Sequence, residues 1–177
     1  AIIVSGASID NITITDNSIN PYQSTPGTHL GGYGSRNAIS INYAGFRVAS
    51  GGVDNILVTG NTVTVGKLGA DFFDDDAMFR SAVSVDEGSG TYTDNDFASI
   101  NHDILNRFNS NGDILINNNT FRGGGVELAE YNAGGGMVTV DNNAFDSEFA
   151  IGYTNRLRLK NNQQDKVTLI SNNTFNN

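Results

Sequence analysis

The feature that most constrains the fold is an asparagine that recurs inside one short template. The template has alternating apolar residues, a polar pair that ends in Asn, one small or polar residue and a large apolar residue. It occurs six times, with its anchors at Asn17, Asn61, Asn95, Asn119, Asn143 and Asn173. Successive anchors lie 44, 34, 24, 24 and 30 residues apart, so we take 24 residues as the unit and the excess as insertion. A repeat of this length indicates a solenoid.

The composition favours strands and turns over helices. Of the 177 residues, 25 are Asn and 21 are Gly, and both residue types weaken helices and favour turns. Within the template the apolar residues alternate, which is the period of a strand with one buried face. We therefore expect an all-β solenoid of about six coils, whose equivalent strands pair in parallel about 4.8 Å apart.

Stacking of equivalent positions explains why Asn recurs. The anchors would turn inward at one corner and hydrogen-bond amide to amide along the axis, and Asn also tolerates the left-handed backbone of a tight corner. Two residues after each anchor, a large apolar residue would form an internal stack. These residues are Ile19, Val63, Phe97, Phe121, Phe145 and Phe175.

A second strand can be aligned between the anchors. Its predicted copies are 38–41, 82–85, 98–100, 125–128 and 150–153. With these strands, residues 1–177 form a single domain that resembles the right-handed parallel β-helix repeat proteins, a family that includes pectate lyases, mannuronan epimerases, phage tailspikes and exported adhesins. The resemblance implies a right-handed parallel β-helix that is a segment of a longer solenoid, and it leaves function open. An antiparallel β-sandwich is the alternative, but it does not explain a repeated Asn.

Two insertions enlarge the connection that follows the first and second anchors. From the anchor to the first apolar residue of the second strand there are 22 residues after Asn17 and after Asn61, but 7 after Asn119. The insertions, at about 20–36 and 66–80, would therefore project side by side from one corner. Such loops often carry the binding surface of a solenoid.

The insertions contain residue types that suit a carbohydrate site, because aromatic rings stack on sugar faces and polar groups bond to hydroxyls. The expected contacts are Tyr22, His29, Tyr33 and Arg80.

The second insertion also has a run of carboxylates. Its members are Asp71, Asp74, Asp75 and Asp76. Carboxylate oxygens are ligands that Ca²⁺ prefers, although the run lacks the spacing and glycine of an EF-hand loop. We expect that no cofactor is required, with Ca²⁺ as the one metal predicted, and a solvated acidic loop as the alternative interpretation.

A column of polar side chains is a candidate for catalysis. Just beyond the second strand, the alignment places Glu87, His102 and Glu130 at equivalent positions. A histidine between two carboxylates has a raised pKa and suits acid–base chemistry. The alternative interpretation is an ordinary polar face. The segment most similar to the Asp-Pro-His-Glu motif of the mannuronan epimerases is Asn101-His102-Asp103, which lacks the leading Asp and the Pro.

Charge and composition exclude several classes of partner and of structure. The formal net charge of −9 argues against nucleic acid, whose binding surfaces need clustered Lys and Arg. No apolar run is long enough for a transmembrane helix, and the absence of cysteine excludes a disulfide scaffold.

Together these features predict a module of a larger exported bacterial or phage protein, located at the cell surface, in secretions or on a phage particle. It would serve as a rigid stalk and an adhesin-like surface for a polysaccharide or cell-surface glycan, without nucleic acid or membrane insertion. Further coils or another chain would cover its ends. The alternative is a polysaccharide-processing enzyme, a uronan lyase or C5-epimerase before a glycoside hydrolase. A water- or ice-ordering surface is disfavoured, because Thr does not recur in every coil.

Overall fold

The computed structural model describes residues 2–6, 11–19, 37–43, 53–64, 81–99, 102–108, 112–128, 136–146, 156–159 and 168–176. Within these residues the chain forms 17 strands and no helix, and every strand pairing is parallel. The predicted all-β parallel β-helix is confirmed. No helix in the described part of the chain is long and apolar enough to cross a membrane.

The strands form three parallel sheets, and each of six coils visits the sheets in the same order. The first sheet contains β1 (Ile2–Gly6), β4 (Asn37–Tyr43), β7 (Ser81–Thr93), β9 (His102–Phe108), β12 (Gly125–Leu128) and β15 (Arg156–Leu159). The second contains β2 (Thr13–Thr15), β5 (Val53–Thr59), the later part of β7, β10 (Ile114–Asn117), β13 (Val138–Asp141) and β16 (Thr168–Ser171). The third contains β3 (Ser18–Ile19), β6 (Thr62–Val63), β8 (Asp96–Phe97), β11 (Thr120–Phe121), β14 (Ala144–Asp146) and β17 (Thr174–Asn176).

Equivalent apolar side chains stack inside the coils, as the sequence predicted. In the third sheet, the strand register aligns the six apolar residues that follow the anchors. The ring centroids of Phe97 and Phe121 are 6.5 Å apart, those of Phe121 and Phe145 5.0 Å, and those of Phe145 and Phe175 4.5 Å. In the second sheet a parallel column consists of Ile14, Val58, Tyr92, Ile116, Val140 and Ile170.

The asparagine ladder is also confirmed. The side-chain amide Nδ2 of each of the first five anchors donates to Oδ1 of the next anchor over 2.8–3.1 Å. The backbone N–H of the same anchor donates to the same oxygen. The Nδ2 group of Asn119 additionally donates to the carbonyls of Tyr92 and Asn117. The ladder therefore satisfies polar groups that would be costly to bury unpaired.

The left-handed corner residue precedes the anchor, so its assignment to the anchor itself was wrong. The corner residues have φ between 52° and 66°, and they are Asp16, Gly60, Asp94, Asn118, Asn142 and Asn172. Asn, Asp and Gly are the residues that adopt this conformation routinely. The corner thus uses two residues, one to turn the backbone and one to point an amide inward.

The second strand was aligned correctly in three of its five copies. Ile39 pairs with Val83, and 125–128 coincides with β12. The prediction of 98–100 was wrong, because Val83 pairs with Ile104 in β9. The prediction of 150–153 was also wrong, because Val126 pairs with Leu157 in β15. Short alternating segments resemble strands wherever they occur, so the pattern alone did not fix the register.

Candidate functional site

Both insertions begin and end at the same corner of the solenoid. Residues 20–36 separate β3 from β4, and residues 64–80 separate β6 from β7, so each insertion connects the third sheet to the first. We call this corner the insertion edge; its described part consists of residues 98–99, 102–103 and 122–125. The insertions themselves lie outside the described residues.

A buried carboxylate fixes the insertion edge where the insertions are absent. Asp103 is fully buried, and its Oδ1 accepts a hydrogen bond from Ser99 Oγ over 2.8 Å. Its Oδ2 accepts from the backbone N–H groups of Gly123 and Gly125 over 3.0 and 3.1 Å. One side chain therefore holds the connection of its own coil to the connection of the next.

Glycine is required at both backbone positions that donate to Asp103. A Cβ atom on Gly123 would lie 2.0 Å from the carbonyl oxygen of Ser99. Gly125 has a φ of +74°, and its Cβ would lie 2.2 Å from the carbonyl oxygen of Arg156. The approach of Gly123 to Ser99 lies within the connection that Asp103 holds, whereas Gly125 approaches the following coil.

Burial raises the pKa of Asp103 to about 7, while the hydrogen bonds from Ser99, Gly123 and Gly125 act in the opposite direction. The negative charge of Asp96 also raises this pKa. A perturbed carboxylate can mark a catalytic site. The two oxygens of Asp103 are nevertheless occupied by three donors of the protein itself, so its geometry fits a structural role.

Three ion pairs lie near the insertion edge, one on the third sheet and two on the first. The guanidinium of Arg122 binds both carboxylate oxygens of Asp96 over 2.7 Å, in a bidentate arrangement. On the outer surface of the first sheet, Glu127 accepts from Arg156 over 3.1 Å and from Arg158 over 3.5 Å. Glu127 is buried, and so is the outward-facing Ser84 of β7. Charges in this region are therefore paired with neighbouring coils.

The predicted catalytic residues are not brought into one column by the backbone. Glu87 pairs with Phe108, whereas His102 pairs with Ser81. The two residues are thus offset by six positions, about 20 Å along a strand. The reason is that Val85 pairs with Asn106, six residues after the Ile100 that the sequence alignment chose. Glu130 lies outside the described residues, as do the side chains of Glu87 and His102.

The predicted binding residues belong to parts of the chain that are not described. They are Tyr22, His29, Tyr33 and Arg80 for carbohydrate and Asp71, Asp74, Asp75 and Asp76 for Ca²⁺. Among the residues that are described, no group of three or more His, Cys, Asp or Glu side chains could hold a metal ion.

Sequence reasoning missed the polar contacts of the insertion edge. The signal for Asp103 was the run Gly123-Gly124-Gly125, which allows a close backbone approach one coil later. The signal for Glu127 was the alternation of Arg156 and Arg158 in a segment of strand period. Neither signal could be used until the register between the coils was known.

Comparison with known proteins identifies no relative: no protein-family model, no curated protein and no solved structure matches the chain.

Proposed function

We propose that the chain is an extracellular module of a larger exported bacterial or phage protein, in which it serves as a rigid stalk that presents a carbohydrate-binding surface. The observation that carries the proposal is the asparagine ladder, which continues without interruption through all six coils. The adhesins and tailspikes among the parallel β-helix proteins, which the sequence resembles, are the model for this role.

The stalk role follows from how the coils are joined. Each pair of neighbouring coils shares parallel strand pairing, ladder hydrogen bonds and an apolar stack. Bending the axis would open all three kinds of contact on one side, so the stacked coils resist bending. Five interstrand steps give an axial length of about 24 Å.

The carbohydrate role rests on the insertion edge. The two insertions leave the third sheet of successive coils, one interstrand step apart, so their attachment points are neighbours. The proposed contacts are Tyr22, His29, Tyr33 and Arg80, with Ca²⁺ held at Asp71 and Asp74–Asp76 as an accessory. The strand register does not favour the Glu87–His102 version of the alternative, a lyase, epimerase or hydrolase, since these two residues lie at opposite ends of the paired stretch of β7 and β9.

A glycan-array measurement with paired variants tests the carbohydrate role. We expect binding to a bacterial or host-surface polysaccharide that the double variant Tyr22→Ala/Tyr33→Ala loses by at least tenfold. The matched control is Tyr131→Ala/Tyr153→Ala, which removes two tyrosines outside both insertions. Equal binding by the two double variants would contradict the site. Unsaturated product formed from alginate or pectate, detected by ultraviolet absorbance, would instead establish a lyase.

A further inference from the structure

The outer faces of the first and second sheets differ in accessibility. On the first sheet, the outward-facing Ser84 and Glu127 are buried. The second sheet and the left-handed corner after it carry outward-facing residues that are exposed or half-buried in each of the first five coils, and we call this surface the open face. It consists of the outward-facing residues within 13–16, 57–60, 91–94, 115–118 and 139–142. Leu115, in the middle of the solenoid, has 37% of its surface exposed, so an apolar side chain is accessible to a ligand there.

One column of the open face alternates between threonine and leucine from coil to coil. The strand register places its five residues in line along the solenoid axis, in the order Thr13, Leu57, Thr91, Leu115 and Thr139. The same residue type therefore returns at every second coil, about 9.6 Å away. A linear ligand that follows the axis would meet an apolar side chain and a hydroxyl in alternation.

Carboxylates follow the same two-coil period beside this column. Asp16 and Asp94 occupy the left-handed corner of coils one and three, and Asp141 of coil five directly precedes the corner. The corners of coils two and four contain the uncharged Gly60 and Asn118 instead. All three carboxylates lie on the same side of the threonine–leucine column, because each follows it along its strand. The open face therefore has a row of negative charges at steps of about 9.6 Å along the axis.

The carboxylates of the open face are not neutralised by cations of the described chain. Arginines bind carboxylates on the first and third sheets, but no strand residue of the second sheet is Lys or Arg. The donors to Asp94 are the neutral side chains of Thr93 and Asn118. The side-chain donors to Asp141 are also neutral. The open face is thus complementary in charge to a ligand with cations at the same spacing.

A β-1,4-linked polysaccharide has the period that the open face requires. One pyranose ring with its glycosidic oxygen is close in length to the interstrand step of about 4.8 Å. Successive rings are rotated by half a turn, so an amino group on each sugar points to the same side of the chain at every second ring. An extended polypeptide fits less well, since it repeats every two residues at about 6.7 Å. The strands of the open face also have neighbours on both sides, so they offer no edge for strand addition.

We propose that the open face binds a linear β-1,4-linked polysaccharide with free amino groups, such as polyglucosamine, which lies along the solenoid axis with one sugar on each coil. Its ammonium groups bind Asp16, Asp94 and Asp141, and the apolar faces of its rings contact Leu57 and Leu115. This site goes beyond the contacts proposed in the insertions, and none of its residues lies in an insertion. Either site can therefore fail without the other.

Calorimetric titration of the full chain tests the ligand class, in weakly acidic buffer that keeps the amino groups protonated. The β-1,4-linked glucosamine hexamer is expected to bind at least tenfold more tightly than the neutral N-acetylglucosamine hexamer, which has the same backbone without the charges. It should also bind at least tenfold more tightly than a lysine hexamer, which carries the same charge at another spacing. Equal binding of either comparison ligand, or no binding of the glucosamine hexamer, overturns the proposal.

Charge variants separate the open face from the net charge of the molecule. Asp94→Asn should weaken binding of the glucosamine hexamer at least fivefold and keep the fold, because Asn118 and Asn142 show that asparagine fits this corner. The matched control is Asp146→Asn, which removes the same charge from the third sheet and should leave the affinity unchanged. Equal loss in the two variants contradicts the site.

Two further variants test the apolar contact and the location. Leu115→Thr places the residue of coils three and five in coil four and should weaken hexamer binding at least threefold without a change of charge; an unchanged affinity contradicts the proposed contact. Tyr22→Ala/Tyr33→Ala should bind the hexamer as the unaltered protein does, whatever its effect on the glycan array. Loss of hexamer binding in that double variant would assign the amino sugar to the insertions and overturn the proposal.

Discussion

The middle of the solenoid and its last coil contain the same template but differ in burial. Asn119 and Phe121 are buried between neighbouring coils, whereas Phe175 is half exposed and Asn173 is partly exposed. Asn119 bonds to the anchors on both sides of it, whereas the preceding anchor is the one described anchor that bonds to Asn173. The template therefore determines where a residue lies within its coil, whereas the neighbouring coils determine how much that residue contributes to stability.

The aromatic stack gives the largest expected difference between the two regions. Phe121→Ala should lower the free energy of unfolding by about 4 kcal/mol, because it leaves a cavity between two coils. Phe175→Ala should lower it by about 1 kcal/mol, since half of the ring is already in contact with water. Urea denaturation followed by circular dichroism measures both values. Similar losses would show that the coils do not enclose Phe121 as described.

The pH dependence of stability should differ in sign between Asp103 in the middle and Asp141 near the end. The folded pKa of Asp103 is about 7, against 3.8 for an unperturbed Asp, so the folded state binds the proton more tightly. Its contribution is fully present below about pH 4 and is lost as pH rises through 7, by about 4 kcal/mol. Hydrogen bonds from Ser171 and Asn172 lower the pKa of Asp141, so its contribution is present above pH 4 and lost in stronger acid.

Stability measured by urea denaturation from pH 3 to pH 8 should therefore be highest near pH 4. Asp103→Asn should reduce the decline in stability above pH 4 and leave the loss of stability below pH 4 unchanged. Asp141→Asn should reduce the loss below pH 4 and leave the decline above pH 4 unchanged. A decline above pH 4 that persists in Asp103→Asn would assign it to another group.

The asparagine ladder gives a smaller difference in stability between the middle of the solenoid and its last coil. Asn119→Ala removes an amide that bonds to both neighbouring anchors and leaves the buried N–H of Asn95 without its acceptor, so a loss of about 3 kcal/mol is expected. Asn173→Ala removes an amide at the partly exposed end and should cost about 1 kcal/mol. Thermal unfolding of the two variants provides the test, and equal costs would mean that the interior amides are solvated.

The smallest effect concerns a hydroxyl in the middle of the core. Tyr92 is fully buried, its Oη has no hydrogen-bond partner among the residues that the structure describes, and burial raises its pKa. Tyr92→Phe removes this polar atom and keeps the ring, so stability should rise by about 1 kcal/mol. Destabilisation by the same substitution would indicate that a buried water bonds to the hydroxyl.

The sequence predicted features that repeat and failed where a contact is made once. Asn119 and Phe121 were placed correctly because every coil has an equivalent residue. Six imperfect copies of the template together defined one pattern. Asp103 occurs in one coil, and its partners Gly123 and Gly125 lie 20 and 22 residues away. Its position therefore depends on the register of β9, which the alternation of Ala98-Ser99-Ile100 concealed.

The candidate binding residues depend still less on the repeat. Tyr22, Tyr33 and Arg80 lie in insertions whose attachment points follow from the coil spacing, but the repeat carries no information about the path of an inserted segment. The strand bounds show that each insertion connects the third sheet to the first. The contacts of those side chains remain predictions.

Native-state hydrogen exchange at the anchors tests the stacked ladder most directly. The backbone N–H groups of Asn61, Asn95, Asn119 and Asn143 bond to the side-chain oxygen of the next coil, so they should exchange at least a hundredfold more slowly than that of Asn173. Cross-peaks between the rings of Phe121 and Phe145 should accompany this protection. Uniformly fast exchange at the four inner anchors, or protection of Asn173 equal to theirs in the isolated protein, would contradict the ladder.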